Sequence, residues 1–114
     1  MTVYLIHIDP PYKHARHYIG YTAEPATFAD RFKAHLFGNG SPLLRAASEA
    51  GCALQVAHIW PDGDRRFERY LKDRRDTARY CPKCGGRRPI PQAVPKDYQT
   101  STERKFRNGK YNDL

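Results

Sequence analysis

The segment Val3–Asp9 constrains this chain more than any other. Alternation along an extended strand puts Val3, Leu5 and His7 on one face and Tyr4, Ile6 and Ile8 on the other, so both faces are largely apolar. A strand of this kind needs a packed layer on each side, and reads as the centre of a sheet. Asp9-Pro10-Pro11-Tyr12-Lys13 interrupts it, because proline offers no N–H to a ladder, and strand character resumes at His17-Tyr18-Ile19-Gly20-Tyr21. The two strands form a long-looped β-hairpin. Pro25 opens a helix with Phe28, Phe32 and Leu36 on one stripe, ended by Gly38-Asn39-Gly40. Ser41-Pro42 starts a shorter helix through Leu43, Leu44, Ala47 and Ala50, which Gly51 stops. Cys52–Trp60 alternates as a third strand. Pro61-Asp62-Gly63-Asp64 is a turn that supplies a helix N-cap, and Arg65 to about Ala78 is helical, with Phe67, Tyr70 and Leu71 as its apolar ridge. The order β-β-α-α-β-α predicts a small α/β domain, a three-stranded and mainly antiparallel sheet flanked by helices.

A chain of 114 residues supports one core of this size and not two. Charge is distributed unevenly along it. Residues 1–60 carry five Lys/Arg against four Asp/Glu, whereas residues 61–114 carry fifteen against eight. The second half is therefore the electrostatic footprint of the protein, and with an isoelectric point near 9.6 it points to a polyanion, most often nucleic acid. A mean hydropathy of -0.82 leaves no run long enough to span a bilayer, so no membrane partner is expected. The apolar stretch at the start is broken by His7 and lacks a basic leader, so a cytoplasmic protein is expected. Residues 1–86 read as the domain. From Arg87 to Leu114 the chain is rich in Pro, Lys, Arg, Asn and Thr with little aliphatic pattern, and reads as a basic, mostly disordered tail.

The hairpin carries Thr2-Val3-Tyr4 on its first strand and Tyr18-Ile19-Gly20-Tyr21-Thr22 on its second; Arg31 and His35 stand four apart on the first helix, and Glu68 and Lys72 four apart on the last. In order and spacing, over residues 2 to about 84, this resembles the GIY-YIG nuclease superfamily, with Thr2 standing where that family's first glycine would be. The resemblance implies a metal-dependent endonuclease acting on nucleic acid, DNA before RNA. It implies Tyr4 as general base, Tyr18 as a second phenol beside the attacking water, Arg31 stabilising phosphate charge, His35 relaying a proton or orienting a tyrosine, and Glu68 holding Mg2+ or Mn2+.

The residues support that chemistry independently. Phosphodiester hydrolysis needs a group to deprotonate water and a cation to stabilise charge on phosphate. One carboxylate with waters suffices for a hard cation such as Mg2+, and Glu68 suits it. Arg65, Arg69 and Lys72 surround Glu68 on its helix, a positive stripe able to receive a nucleic-acid backbone. An ordinary solvated helix face with i,i+4 ion pairs has the same pattern. A nucleic-acid-binding module that does not cut, or an interaction adaptor using the tail, would also fit this composition.

Cys81-Pro82-Lys83-Cys84-Gly85-Gly86 is a separate signal. The chain has three cysteines, an odd number, and a Cys-x-x-Cys followed by glycine is the usual half of a tetrahedral zinc site. The spacing His14-x-x-His17 makes those two histidines the leading candidates for the other half of a structural Zn2+ site, with Cys52 and His58 as alternatives and a thiol redox pair as the other chemistry. If strand and last helix lie side by side, the hairpin loop and the helix exit reach the same edge.

Overall fold

The structure is a computed structural model that describes residues 2–22, 30 and 41–100. Its elements are β1 (Thr2–Tyr12), β2 (Ala15–Thr22), α1 (Pro42–Glu49), β3 (Ala53–Trp60) and α2 (Arg65–Arg74), followed by single 3-10 turns at Thr77–Arg79 and Pro82–Cys84. The helix expected from Pro25 lies outside the described residues. The sheet is antiparallel throughout, in the order β2-β1-β3, which makes β1 its centre. The double-faced burial read from the sequence follows: Val3, Leu5 and Ile6 are fully buried, and Tyr4 and Ile8 are 1% exposed.

Each face of β1 organises one half of the core. Val3 and Leu5 pack with Ile19, Trp60, Phe67, Leu71, Tyr80 and Cys81, so α2 covers that face. Tyr4, Ile6 and Ile8 pack with Leu44, Ala47 and Leu54, and α1 covers the other. Asp64 caps α2, its carboxylate accepting from the Phe67 N–H at 2.8 Å. The β3–α2 turn lies tight on the sheet: a Cβ on Gly63 would come within 2.7 Å of Val3 Cγ2.

Two boundaries differ from expectation. The hairpin is longer than the proline pair suggested, because β1 continues to Tyr12, which pairs with Ala15, and only Lys13 and His14 form the turn. The prolines are tolerated there because the β1–β3 ladder ends at Asp9–Ala53 and the β1–β2 register is irregular between His7 and Tyr12. The last helix stops at Arg74, short of Ala78. Arg75 adopts a left-handed conformation (φ 56°), and the Arg74 guanidinium grips the Asp76 carboxylate at 2.7 and 3.0 Å, which turns the chain into the first 3-10 turn.

The largest correction concerns the tail. The chain does not leave the domain at residue 87 but stays on it as an irregular strap to Thr100, and residues 101–114 lie outside the described residues. The buried Trp60 indole N–H donates to the Pro91 carbonyl at 2.7 Å, and Ile90 and Val94 pack against the α2-side core. Farther on, Tyr98 donates to Asp73 Oδ2 at 2.6 Å and its ring meets Tyr70, while Arg66 donates to the Tyr98 carbonyl at 2.9 Å. Desolvation, then the Asp73 hydrogen bond, push the Tyr98 phenol up to about 12, so it remains a donor. A strap with few anchors depends on each one. Trp60→Phe keeps most of the ring but orphans the Pro91 carbonyl, and is expected to destabilise the fold by about 1–3 kcal/mol in a urea titration. Faster protease cleavage within residues 87–95 should accompany it.

Candidate metal centre and catalytic face

The β1–β2 register builds the first site. His7 and His17 are direct cross-strand partners, so both imidazoles stand on the face of Val3 and Leu5, with ring centroids 5.3 Å apart. That face continues to the exit of α2, where Cys81 and Cys84 arrive. The Cys84 sulfur lies 3.2 Å from His17 Nε2 and 3.5 Å from His7 Nδ1, and the Cys81 sulfur lies 3.8 Å from His7 Nδ1. All four ligand atoms fall within 4.8 Å of one another, so the cluster could hold a metal ion.

The backbone around the cysteines is shaped for this. Cys84 N–H and Gly86 N–H both donate to the Cys81 carbonyl, at 3.1 and 3.0 Å, and wrap the loop round the sulfurs. Gly85 sits at φ 72°, where a side chain is strained. Gly86 passes so close to the preceding turn that a Cβ would lie 2.5 Å from the Arg79 carbonyl oxygen. Cys81 is buried and Cys84 exposed, and solvent reaches the cluster through a shallow cavity of about 270 Å³ that includes His7, Arg16 and Cys84.

Burial sets the electrostatics of the cluster. Burial, then the charges of His7 and Arg16, lower His17 from 6.5 to about 4, leaving its imidazole neutral at neutral pH as a ligand must be. Partial desolvation, then neighbouring Cys81, push the Cys84 thiol up.

His14 is not part of this cluster. It sits exposed in the two-residue turn, while His7, read from the sequence only as a strand residue, takes the position. In an extended strand, residues three apart point to opposite faces, so an H-x-x-H spacing suited to a helix does not converge here. The signal was in the hairpin register: with Tyr4 opposite Gly20, His7 stands against His17. Of the alternatives, Cys52 packs against the α1-side core and His58 stacks on Trp60 at 4.6 Å, and neither joins the four.

The residues of the nuclease resemblance are distributed as follows. Tyr4 and Tyr18 share the α1 face, their ring centroids 6.2 Å apart. Gly20 makes that approach possible, since a Cβ there would lie 2.7 Å from Tyr18 Cε1 and from Tyr4 Cζ and its hydroxyl oxygen. Glu68 stands in the first turn of α2, with Lys72 Nζ 3.4 Å from its carboxylate. Tyrosines and Glu68 are thus at the end of the sheet where β1 begins, but on elements packed against opposite faces. Arg65 lies over the Tyr21 ring at 5.1 Å, and Arg65, Arg69 and Lys72 are exposed along α2. Arg31 and His35 lie outside the described residues. Because two rings must part to admit one methyl group, Gly20→Ala is expected to cost about 1–3 kcal/mol of stability, read as a lower urea midpoint with an unchanged slope.

No family model, curated protein or solved structure matches this chain, so the functional reading rests on its own residues.

Proposed function

We propose that this protein is a metal-dependent endonuclease of the GIY-YIG type that hydrolyses nucleic-acid phosphodiester bonds, DNA in the first instance. The observation that carries the reading is the tyrosine pair on adjacent strands, brought together over a glycine, at the end of the sheet where the Glu68 helix begins. In this reading Tyr4 takes a proton from the attacking water and Tyr18 orients it. A free phenol has a pKa of about 10, so this role at neutral pH calls for a cation; the resemblance gives that part to Arg31 and gives His35 the relaying of a proton or the orienting of a tyrosine. The Glu68 carboxylate, whose side chain is 14% exposed, would hold Mg2+ or Mn2+, and the ion would supply positive charge to the phosphate. Arg65, Arg69 and Lys72 line an exposed helix that would receive the backbone. The His/Cys cluster lies on the other face from the tyrosines; an ion there, zinc by its donor set, would be structural.

Two observations favour a second reading, a module that binds nucleic acid without cutting it. Lys72 already neutralises Glu68, and Tyr4 is 1% exposed. A plasmid-nicking assay with Mg2+ or Mn2+ separates the two. Glu68→Ala should lower cleavage at least about 100-fold, as loss of a main electrostatic stabiliser does, while leaving non-specific DNA affinity nearly unchanged. Cleavage retained by Glu68→Ala would contradict the nuclease assignment. An unaltered protein that binds DNA and nicks it with neither ion would establish the binding module instead.

A further inference from the structure

We propose that His7, His17, Cys81 and Cys84 form a closed four-ligand zinc site that ties the β1–β2 hairpin to the exit of α2, and through it fixes the strap of residues 87–100 on the sheet. This inference stands apart from the nuclease reading. It uses none of the residues assigned there and would hold for a domain that cuts nothing.

Geometry carries it. In a zinc tetrahedron with bonds of about 2.3 Å to sulfur and 2.0–2.1 Å to nitrogen, neighbouring ligand atoms stand about 3.4–3.8 Å apart. Three of the four nitrogen–sulfur separations here are 3.2, 3.5 and 3.8 Å, and all four ligand atoms lie within 4.8 Å of one another. The ligands reach this spacing from three stretches of chain: one histidine from each strand of the hairpin, and the cysteine loop from beyond α2. Such convergence of otherwise polar, reactive groups beside a core otherwise built of Val3, Leu5, Leu71 and Tyr80 calls for a common partner.

The donor set selects the ion. Two sulfurs with two imidazoles at tetrahedral spacing suit zinc, whereas Mg2+ and Ca2+ prefer oxygen. A two-iron cluster with mixed ligands would hold the cysteine pair and the histidine pair on different irons. Here Cys84 touches both histidines, so the site is mononuclear. Four protein ligands leave no open position, which makes the ion structural and not catalytic.

The consequence extends past the site. Gly86 N–H donates to the Cys81 carbonyl, and Arg88 N–H to the Arg79 carbonyl at 2.9 Å, so the cysteine loop sets the direction in which the chain runs on to Pro91 and Trp60. Holding the two sulfurs therefore also holds the start of the strap.

The full chain, purified without chelator, is assayed for metal by elemental analysis, and the zinc-free protein is titrated with Co2+ and followed by absorbance. Expected are about one zinc per chain and a cobalt spectrum with tetrahedral ligand-field and thiolate charge-transfer bands. His7→Ala and Cys84→Ser should each lower zinc affinity at least about 100-fold, more than loss of an outer-shell partner does. His14→Ala should bind zinc as the unaltered chain does. Zinc removal should speed protease cleavage within residues 87–100. Full zinc retention in His7→Ala would overturn the proposal, and so would metal loss in His14→Ala. Should the ligand variants fail to fold, the cobalt spectrum of the unaltered chain decides: a spectrum without thiolate bands, or no uptake of either ion, overturns the site.

Discussion

The two-residue period of β1 is the constraint on which the rest of this structure depends. Being central, β1 buries both faces, and each face recruits its own helix: Val3 and Leu5 take α2, Tyr4 and Ile6 take α1. On the α2 face the buried series Val3, Leu5 ends in His7, where an apolar side chain would have been the simple continuation. Directly across the ladder stands His17. Two imidazoles side by side at the end of a packed face cannot be left without partners, and the cysteine loop after α2 closes over them. The net stability of a domain of this size is about 5–15 kcal/mol, and structural zinc contributes about 10–16 kcal/mol in small zinc-dependent peptides. An ion at this position would therefore be comparable in contribution to the net stability of the whole domain.

Most of the frame was legible in the residues. The apolar run on both faces of β1 specified a central strand, Asp64 marked the start of α2, and the cysteine spacing marked two of the four residues of the His/Cys cluster. Laying the strand and the last helix side by side also brought hairpin loop and helix exit to one edge. What was not legible depended on pairing and not on spacing. His14 and His17 look like partners in a linear reading, yet cross-strand register, which no single segment contains, substitutes His7 for His14. The strap was missed for a related reason. Its anchors at Ile90, Pro91, Val94 and Tyr98 follow no helical or strand period, and Pro91 contributes a backbone carbonyl to Trp60 rather than a side chain. The early end of α2 came from the Arg74–Asp76 pair, a local contact that competes with helix continuation.

The two candidate sites divide the sheet between them. The tyrosine pair, shaped by Gly20, occupies the α1 face where β1 begins, and the His/Cys cluster occupies the α2 face toward the hairpin turn. His7 lies three residues beyond Tyr4, about 10 Å along the strand. On the cluster's face runs α2, whose exposed cations would meet a polyanion and whose exit leads into the cysteine loop. In the proposed account the cluster keeps that helix and the strap seated while chemistry takes place at the other end of α2, where Glu68 stands in the first turn, so that the structural and catalytic ions would be separated along the helix.

The measurement that tests the central claim most directly is X-ray absorption at the zinc edge on the full chain. The account predicts a single shell of two sulfurs at about 2.3 Å and two nitrogens at about 2.0–2.1 Å, with the outer-shell scattering of two imidazoles. A shell of nitrogen and oxygen alone would contradict it, as would four sulfurs shared between two chains.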